Sequence, residues 1–276
     1  MPLITRLWRT DPVLVATALI LAALTIPFGI GLLVDPRLIT GAPAWLKPLK
    51  FAISTSIYAA TLAWVFTFLP AWTRLRRIVG GGTAAAFLIE VALIGGQAAR
   101  GTTSHFNVAT GVDAAVFAIM GLVIVAQTVL AAALTVAVWR QPFTDPALAW
   151  ALRLGLVVTV LGAATGGLMT RPTAAQIAEV KATHAMPISG AHTVGAPDGG
   201  PGLPVVGWST RHGDIRVPHF IGLHAWQVLP VFVLLALRRF TDRTRTRLAI
   251  AASGAYAIVF AGLLVQAWRG LPALPL

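Results

Sequence analysis

The stretch "RVPHFIGLHAWQVLPVFVLLAL", residues 216–237, decides the fold. Its C-terminal half is apolar without interruption, and with the first turns it reaches the roughly 20 residues that a helix needs to cross a hydrocarbon core. Those first turns hold His219, His224 and Gln227, polar groups that are costly to bury without partners. The chain as a whole asks for the same solvent as this run. Of its 276 residues 57% are hydrophobic and only 11% charged, with a mean hydropathy of +0.80. A soluble domain carries about a quarter charged residues.

Working outward, seven segments are long enough to span: Pro12–Val34, Pro48–Leu69, Ile78–Ala98, Thr110–Val138, Leu148–Met169, Pro218–Leu237 and Leu248–Trp268. The first follows Arg6 and Arg9, but it exceeds the apolar core of a signal peptide, and "VDPRLIT" after it offers no small-residue cleavage site. It reads as a retained helix. The expected fold is therefore an all-α, seven-helix transmembrane bundle forming one domain over residues 1–276, multi-pass in the inner (plasma) membrane.

Orientation follows from Lys and Arg. Arg6, Arg9, Arg74, Arg76, Arg77, Arg140, Arg153, Arg238, Arg239, Arg243, Arg245 and Arg247 fall on one side, against Arg37, Lys47, Lys50, Arg100 and Arg269 on the other. The positive-inside rule then places the N-terminus inside and the C-terminus outside. The net charge of +12 is explained by these connectors, and no basic helix or aromatic platform points to nucleic acid. Without cysteine the chain has no disulfide, no thiol nucleophile and no cysteine-ligated cluster.

One connector is long. Residues 170–214 lie outside in this topology, with "GAPDGGPG" as a flexible core and "TAAQIAEVKATHAM" as a short helix, and read either as a lid over the outer face or as a loose insertion. There is also an internal echo. "QAARG" (97–101) and "QAWRG" (266–270) end the third and seventh helices, and the gapless alignment of 50–101 with 219–270 pairs Phe51 with Phe220, Arg74 with Arg243 and Arg76 with Arg245. This suggests a parallel repeat of a helical hairpin, helices two and three with six and seven.

The candidate site is a set of polar groups in the outer half. Glu90, Gln97 and Arg100 share one face of the third helix, with Glu90 roughly 12–15 Å below its outer end. A charged carboxylate there costs about 2.5–3.5 kcal/mol, so Glu90 must be protonated, paired or facing water. "RGTTSHFN" follows, bringing His105, and Asp113 opens the fourth helix. Lys47, Lys50, Ser54, Tyr58 and Thr61 form a stripe on the second helix expected to face the bundle, and Gln266 and Arg269 close the seventh. On the sixth, His224 and Gln227 are expected to look inward, while His219 reads as a cap of the first turn or a lid contact.

Three chemistries fit. A b-type haem would take His224 paired with His105 or His219, with Arg100, Arg269 or Lys50 at its propionates. Zinc would take the same histidines with Asp113 and activate water against an amide or ester. An anionic amphiphile would be held by Lys50, Arg100, Arg216 and Arg269 with the glutamines Gln97, Gln227 and Gln266, and Glu90, Asp113 and His224 would move protons, in an enzyme, a proton-coupled transporter or a ligand sensor. No Walker, GxSxG or HExxH motif occurs, and the seventh helix has no lysine for a retinal Schiff base.

"RGTTSHFN", "GDIRVPHFIGLHAWQVLP" and "WLKPLKFAIS" resemble blocks of uncharacterised bacterial polytopic membrane proteins. The resemblance implies membrane embedding and brings no activity with it.

Overall fold

A computed structural model describes residues 2–275. Its long helices are α2 (Pro12–Val34), α3 (Leu46–Phe66), α4 (Thr73–Ala99), α5 (Gly111–Arg140), α6 (Pro146–Met169), α8 (Arg216–Leu235) and α9 (Asp242–Trp268). All seven are long and apolar enough to cross a membrane, matching the expected spans helix for helix. α4 and α9 start earlier than their apolar windows, because the arginine-rich turns at residues 74–77 and 243–247 are helical too. Charge keeps such turns out of hydrocarbon without breaking the helix. Two short helices, α1 (Leu3–Thr10) and α7 (Ala174–Thr183), and two two-residue hairpins, β1 (Leu38–Ile39) with β2 (Ala42–Pro43) and β3 (Thr193–Val194) with β4 (Gly213–Asp214), complete the described elements.

Packing divides the chain into two compact units, Met1–Leu130 with Pro172–Gly190, and Ala131–Arg171 with Ala191–Leu276. In the first, α2, α3 and α4 pack together around Leu21, Ala52, Ala86, Phe87 and Val91. The buried face of α3 runs through Ala52, Thr55, Ala59, Leu62 and Phe66, whereas Ser54 of the expected polar stripe is exposed. Buried Thr55 bonds back to the Phe51 carbonyl of its own helix, while half-buried Ser56 donates to the Ala18 carbonyl and joins α3 to α2. In the second unit, α6 packs on α8 and α9.

The echo seen in the sequence is larger in three dimensions. Each unit contains a Thr-Asp-Pro turn whose aspartate caps the next helix, α2 or α6. Asp11 accepts from the Leu14 amide, and Asp145 from those of Ala147 and Leu148. The aspartate faces an arginine of the unit's third helix, Arg76 acting on Asp11 and Arg245 bonding Asp145 at 2.6 Å. Next comes an Asp-x-Arg clamp beside the hairpin: Arg37 closes on Asp35 and Arg216 on Asp214 through the same backbone, Nε and Nη2 bonds, at 3.0, 2.9 and 2.6 Å in both. In each unit a left-handed glycine, Gly101 or Gly270, follows the cap of α4 or α9, both at φ +74°. Only a residue without Cβ takes that conformation at no cost. Gln97 and Gln266 donate to the carbonyls six residues on, Thr103 and Pro272. The repeated element is thus a helix, a clamp and a helical hairpin, three spans rather than two, with α5 as the single helix between them in sequence.

The clamp gives a pH expectation. The Arg37 guanidinium, its backbone amide and the Trp45 indole hold the Asp35 carboxyl well below the usual carboxylate range. A depressed folded-state pKa means the anchor is fully made above the unfolded value of about 3.9 and is lost only in stronger acid. In detergent, the Trp45 indole N–H resonance should hold its position from neutrality down to about pH 4. Movement beginning near pH 6 would contradict the clamp.

Candidate functional site

Chain order and helix periodicity set the first unit's polar cluster. Gln97 lies in the last turn of α4, Arg100 caps that helix, and the turn at 101–110 returns the chain so that Asp113 opens α5. Gln97 donates to Asp113 Oδ1 at 2.9 Å, and Arg100 Nη1 donates to the same oxygen at 2.8 Å and to Gln97 Oε1. Thr110 completes the shell, its hydroxyl donating to Asp113 Oδ2 at 2.6 Å. The Asp113 carboxylate therefore has both oxygens hydrogen-bonded. It works as the anchor that orients Gln97 and Arg100, and only Nη1 of the half-exposed Arg100 is used in these bonds.

The turn itself is built. Phe106 sits at φ +64°, Asn107 ties Thr102 to the Ala109 amide, and residues 106–108 pair with 187–189 of the long connector. That connector is ordered: Thr173 and Gln176 form a capping box on α7, and Gln176 reaches Gly190 in both directions. Lys47 donates to His105 Nδ1 at 3.0 Å, so this nitrogen is an acceptor with an ammonium against it.

Glu90 stands apart from this satisfied cluster. It is 1% exposed, and neither of its oxygens has a hydrogen-bond partner in the protein. Lys47 is the cation that acts on it. Below it on the same helix, Thr83 is fully buried with its hydroxyl likewise unpartnered, and Arg76 carries an unpartnered buried Nε. Thr83 and Arg76 were missed in the sequence reading, although their spacing of seven and fourteen residues from Glu90 was visible. Gln127 of α5, 8% exposed, donates to the Tyr58 hydroxyl at 3.4 Å and leaves its own carbonyl oxygen unpartnered.

The remaining candidates belong to the second unit. His219 is the histidine that crosses between helices: its Nδ1–H donates to the Gly162 carbonyl of α6 at 2.8 Å, with the Thr165 hydroxyl 3.2 Å away. The expectation of a first-turn cap is corrected accordingly. His224 donates from Nδ1 to Phe220 of its own helix and stacks on that ring at 4.1 Å. Gln227 is half-buried, Gln266 is spent on Pro272, and Arg269 is exposed at the cap of α9. In the connector, His192 is engaged by Asp198, which also accepts from the His192 and Thr193 amides. Burial opposes ionisation there, yet these donors hold the Asp198 carboxyl well below its usual range.

Lys50, Glu90, Gln97, Arg100, His105 and Asp113 thus fall in the first unit, and His219, His224, Gln227, Gln266 and Arg269 in the second. Among the described residues no group of three His, Cys, Asp or Glu side chains is placed to hold a metal ion. Comparison with protein-family models, with curated proteins and with solved structures found no match.

Proposed function

We propose that this chain is a multi-pass membrane protein, N-terminus inside, whose first unit binds an anionic amphiphile in its outer half. Arg100, Lys47 and Lys50 form the cationic rim, and Glu90 is the proton-exchanging carboxyl at the floor. The observation that carries this reading is Glu90 itself, buried at mid-span with both oxygens unpartnered. Such a group destabilises a fold and is retained for work. Above it, Asp113 and Gln97 fix Arg100 by one nitrogen, which leaves the rest of a planar, charge-assisted donor for a phosphate or carboxylate. The resident-metal readings gain less. A metal at His105 Nδ1 would meet the Lys47 ammonium.

Dodecyl phosphate is a suitable probe. Titration calorimetry on the detergent-purified chain, run in buffers of different ionisation enthalpy, should show proton uptake on binding that Glu90→Gln abolishes. Arg100→Ala should weaken binding about tenfold or more, the loss of a hydrogen bond to a charged group at roughly 1.5–3 kcal/mol. Equal affinity in Arg100→Ala, or binding without proton exchange in the parent chain, would overturn the reading.

A further inference from the structure

Four polar residues of α4 fall on a strict seven-residue spacing: Arg76, Thr83, Glu90 and Gln97. Residues seven apart lie on nearly the same helix face, drifting about 20° per step. At 1.5 Å per residue this file is roughly 30 Å long, the thickness of the hydrocarbon core. Three of its four members carry buried polar atoms with no protein partner. At the N-terminal end, Asp11 packs so closely against α4 that a Cβ on Gly80 would lie 2.7 Å from its Oδ2. Burial pushes the Asp11 carboxyl up, toward holding a proton. At the other end, Gln97 joins the file to Asp113 and the half-exposed Arg100.

The internal repeat supplies a control within the molecule. Aligning the two QAxRG caps places Ala252 opposite Thr83 and Val259 opposite Glu90, and Val259 is 55% exposed. The second unit keeps the aspartate cap, the arginine, the clamp and the glutamine, all of which have structural partners there. It lacks the two residues that have none. What the repeat omits is the pair Thr83 and Glu90, whose side chains have no hydrogen-bond partner, while the arginine with an unpartnered Nε is kept in both units as Arg76 and Arg245.

We propose that the first unit conducts protons along this face of α4, from the Gln97 end through Glu90 and Thr83 to Asp11. The inference rests on the reading of Glu90 as the proton-exchanging floor of the site. A proton arriving on water at the outer end is taken by the Glu90 carboxylate, giving a neutral acid. That acid returns it to water on the Thr83 side, where the hydroxyl accepts one hydrogen bond and donates the next. Asp11 receives the proton and releases it to solvent, so one proton crosses and every side chain returns to its starting form. About 10 Å separates Thr83 from Glu90. Phe87 lies between them on the helix, its ring edge-on to the Tyr58 ring at 5.0 Å. The charged and titratable groups along the path are Asp11 before α2, Lys47 and Tyr58 of α3, Arg76, Glu90 and Arg100 of α4 and its cap, and Asp113 of α5.

The test is proton flux into proteoliposomes of the full chain, loaded with a pH-sensitive dye and driven by a potassium diffusion potential, with and without dodecyl phosphate. The parent chain should acidify the lumen faster than protein-free vesicles. Glu90→Gln should lower that rate at least tenfold, Thr83→Val severalfold, and Thr83→Ser should restore it. Ser253→Ala, a buried serine bonded within α9, should leave it unchanged. Parent flux no faster than empty vesicles under both conditions, or Glu90→Gln at the parent rate, overturns the path. If dodecyl phosphate still binds with proton uptake while flux is absent, the path fails and the binding site stands. If binding shows no proton exchange, the reading of Glu90 beneath both fails.

Discussion

Glu90→Leu is expected to make the solubilised protein more stable while removing its proton chemistry. The side chain is 1% exposed, sits among the apolar residues of the first unit, and satisfies neither oxygen within the protein. Burying a polar group without a partner costs about 1–3 kcal/mol in protein mutational data. Leucine is of similar volume and carries no such cost, so the gain should be of that order, read as a raised midpoint in denaturant titration. Proton uptake on binding and proton flux should both vanish. Opposite movement of stability and function marks a site that the fold tolerates and does not need. A Glu90→Leu chain that is less stable by a similar amount would mean that the carboxyl has a structural partner, and the functional reading would fall. The contrast with Asp113 sharpens the point. There both oxygens accept hydrogen bonds, from Gln97, Arg100 and Thr110, so Asp113→Leu should lower the midpoint.

Gly162→Val should be the most damaging single change in the second unit. α6 and α8 meet at glycines: a Cβ on Gly162 would lie 2.6 Å from Gly222 Cα, one on Gly222 2.5 Å from Gly162 Cα, and one on Gly155 2.8 Å from Trp226 Cα. All three obstacles are backbone, which cannot swing aside. The close approach is what brings Thr159 within reach, its hydroxyl donating to the Gly222 carbonyl at 3.2 Å and accepting the Trp226 amide at 3.3 Å. The bond from His219 to the Gly162 carbonyl depends on the same spacing. Overpacking costs about 1–3 kcal/mol, and interhelical bonds in membranes contribute about 0.6 kcal/mol each. Separating the helices thus removes roughly 3–5 kcal/mol, a large share of a stability of about 5–15 kcal/mol. Gly167→Val, on the same helix with no atom within 4 Å of its added Cβ, is the control and should fold normally. Equal midpoints for the two variants would show that the helices can move apart without loss.

Much of this architecture was legible in composition and spacing. Seven apolar runs of sufficient length fix seven helices, because in lipid the backbone has to satisfy itself and a helix does so locally. The QAxRG echo pointed to the repeat, since a helix cap is a local motif. The other repeated parts were harder to see. Thr10-Asp11-Pro12 and Thr144-Asp145-Pro146, or Asp35-x-Arg37 and Asp214-x-Arg216, are short polar matches at unequal offsets, and they become a repeat only when each is seen making the same bonds.

The sequence by itself determined that the chain belongs in a membrane, which residues are polar within it, and on which face of its own helix each one sits. The tertiary structure alone decided which of them are satisfied. Glu90, Gln97 and Arg100 share one face, yet Gln97 and Arg100 found Asp113 and Glu90 found no hydrogen-bond partner. His219 and His224 differ by five positions, and it was His219, the one read as a first-turn cap, that bonded to the neighbouring helix. Helical periodicity fixes a side chain's direction only relative to its own axis. Whether a hydrogen bond waits in that direction depends on the neighbouring helix's rotation and distance, which here are set by glycines 162 and 222 in one unit and by packing around Phe87 in the other.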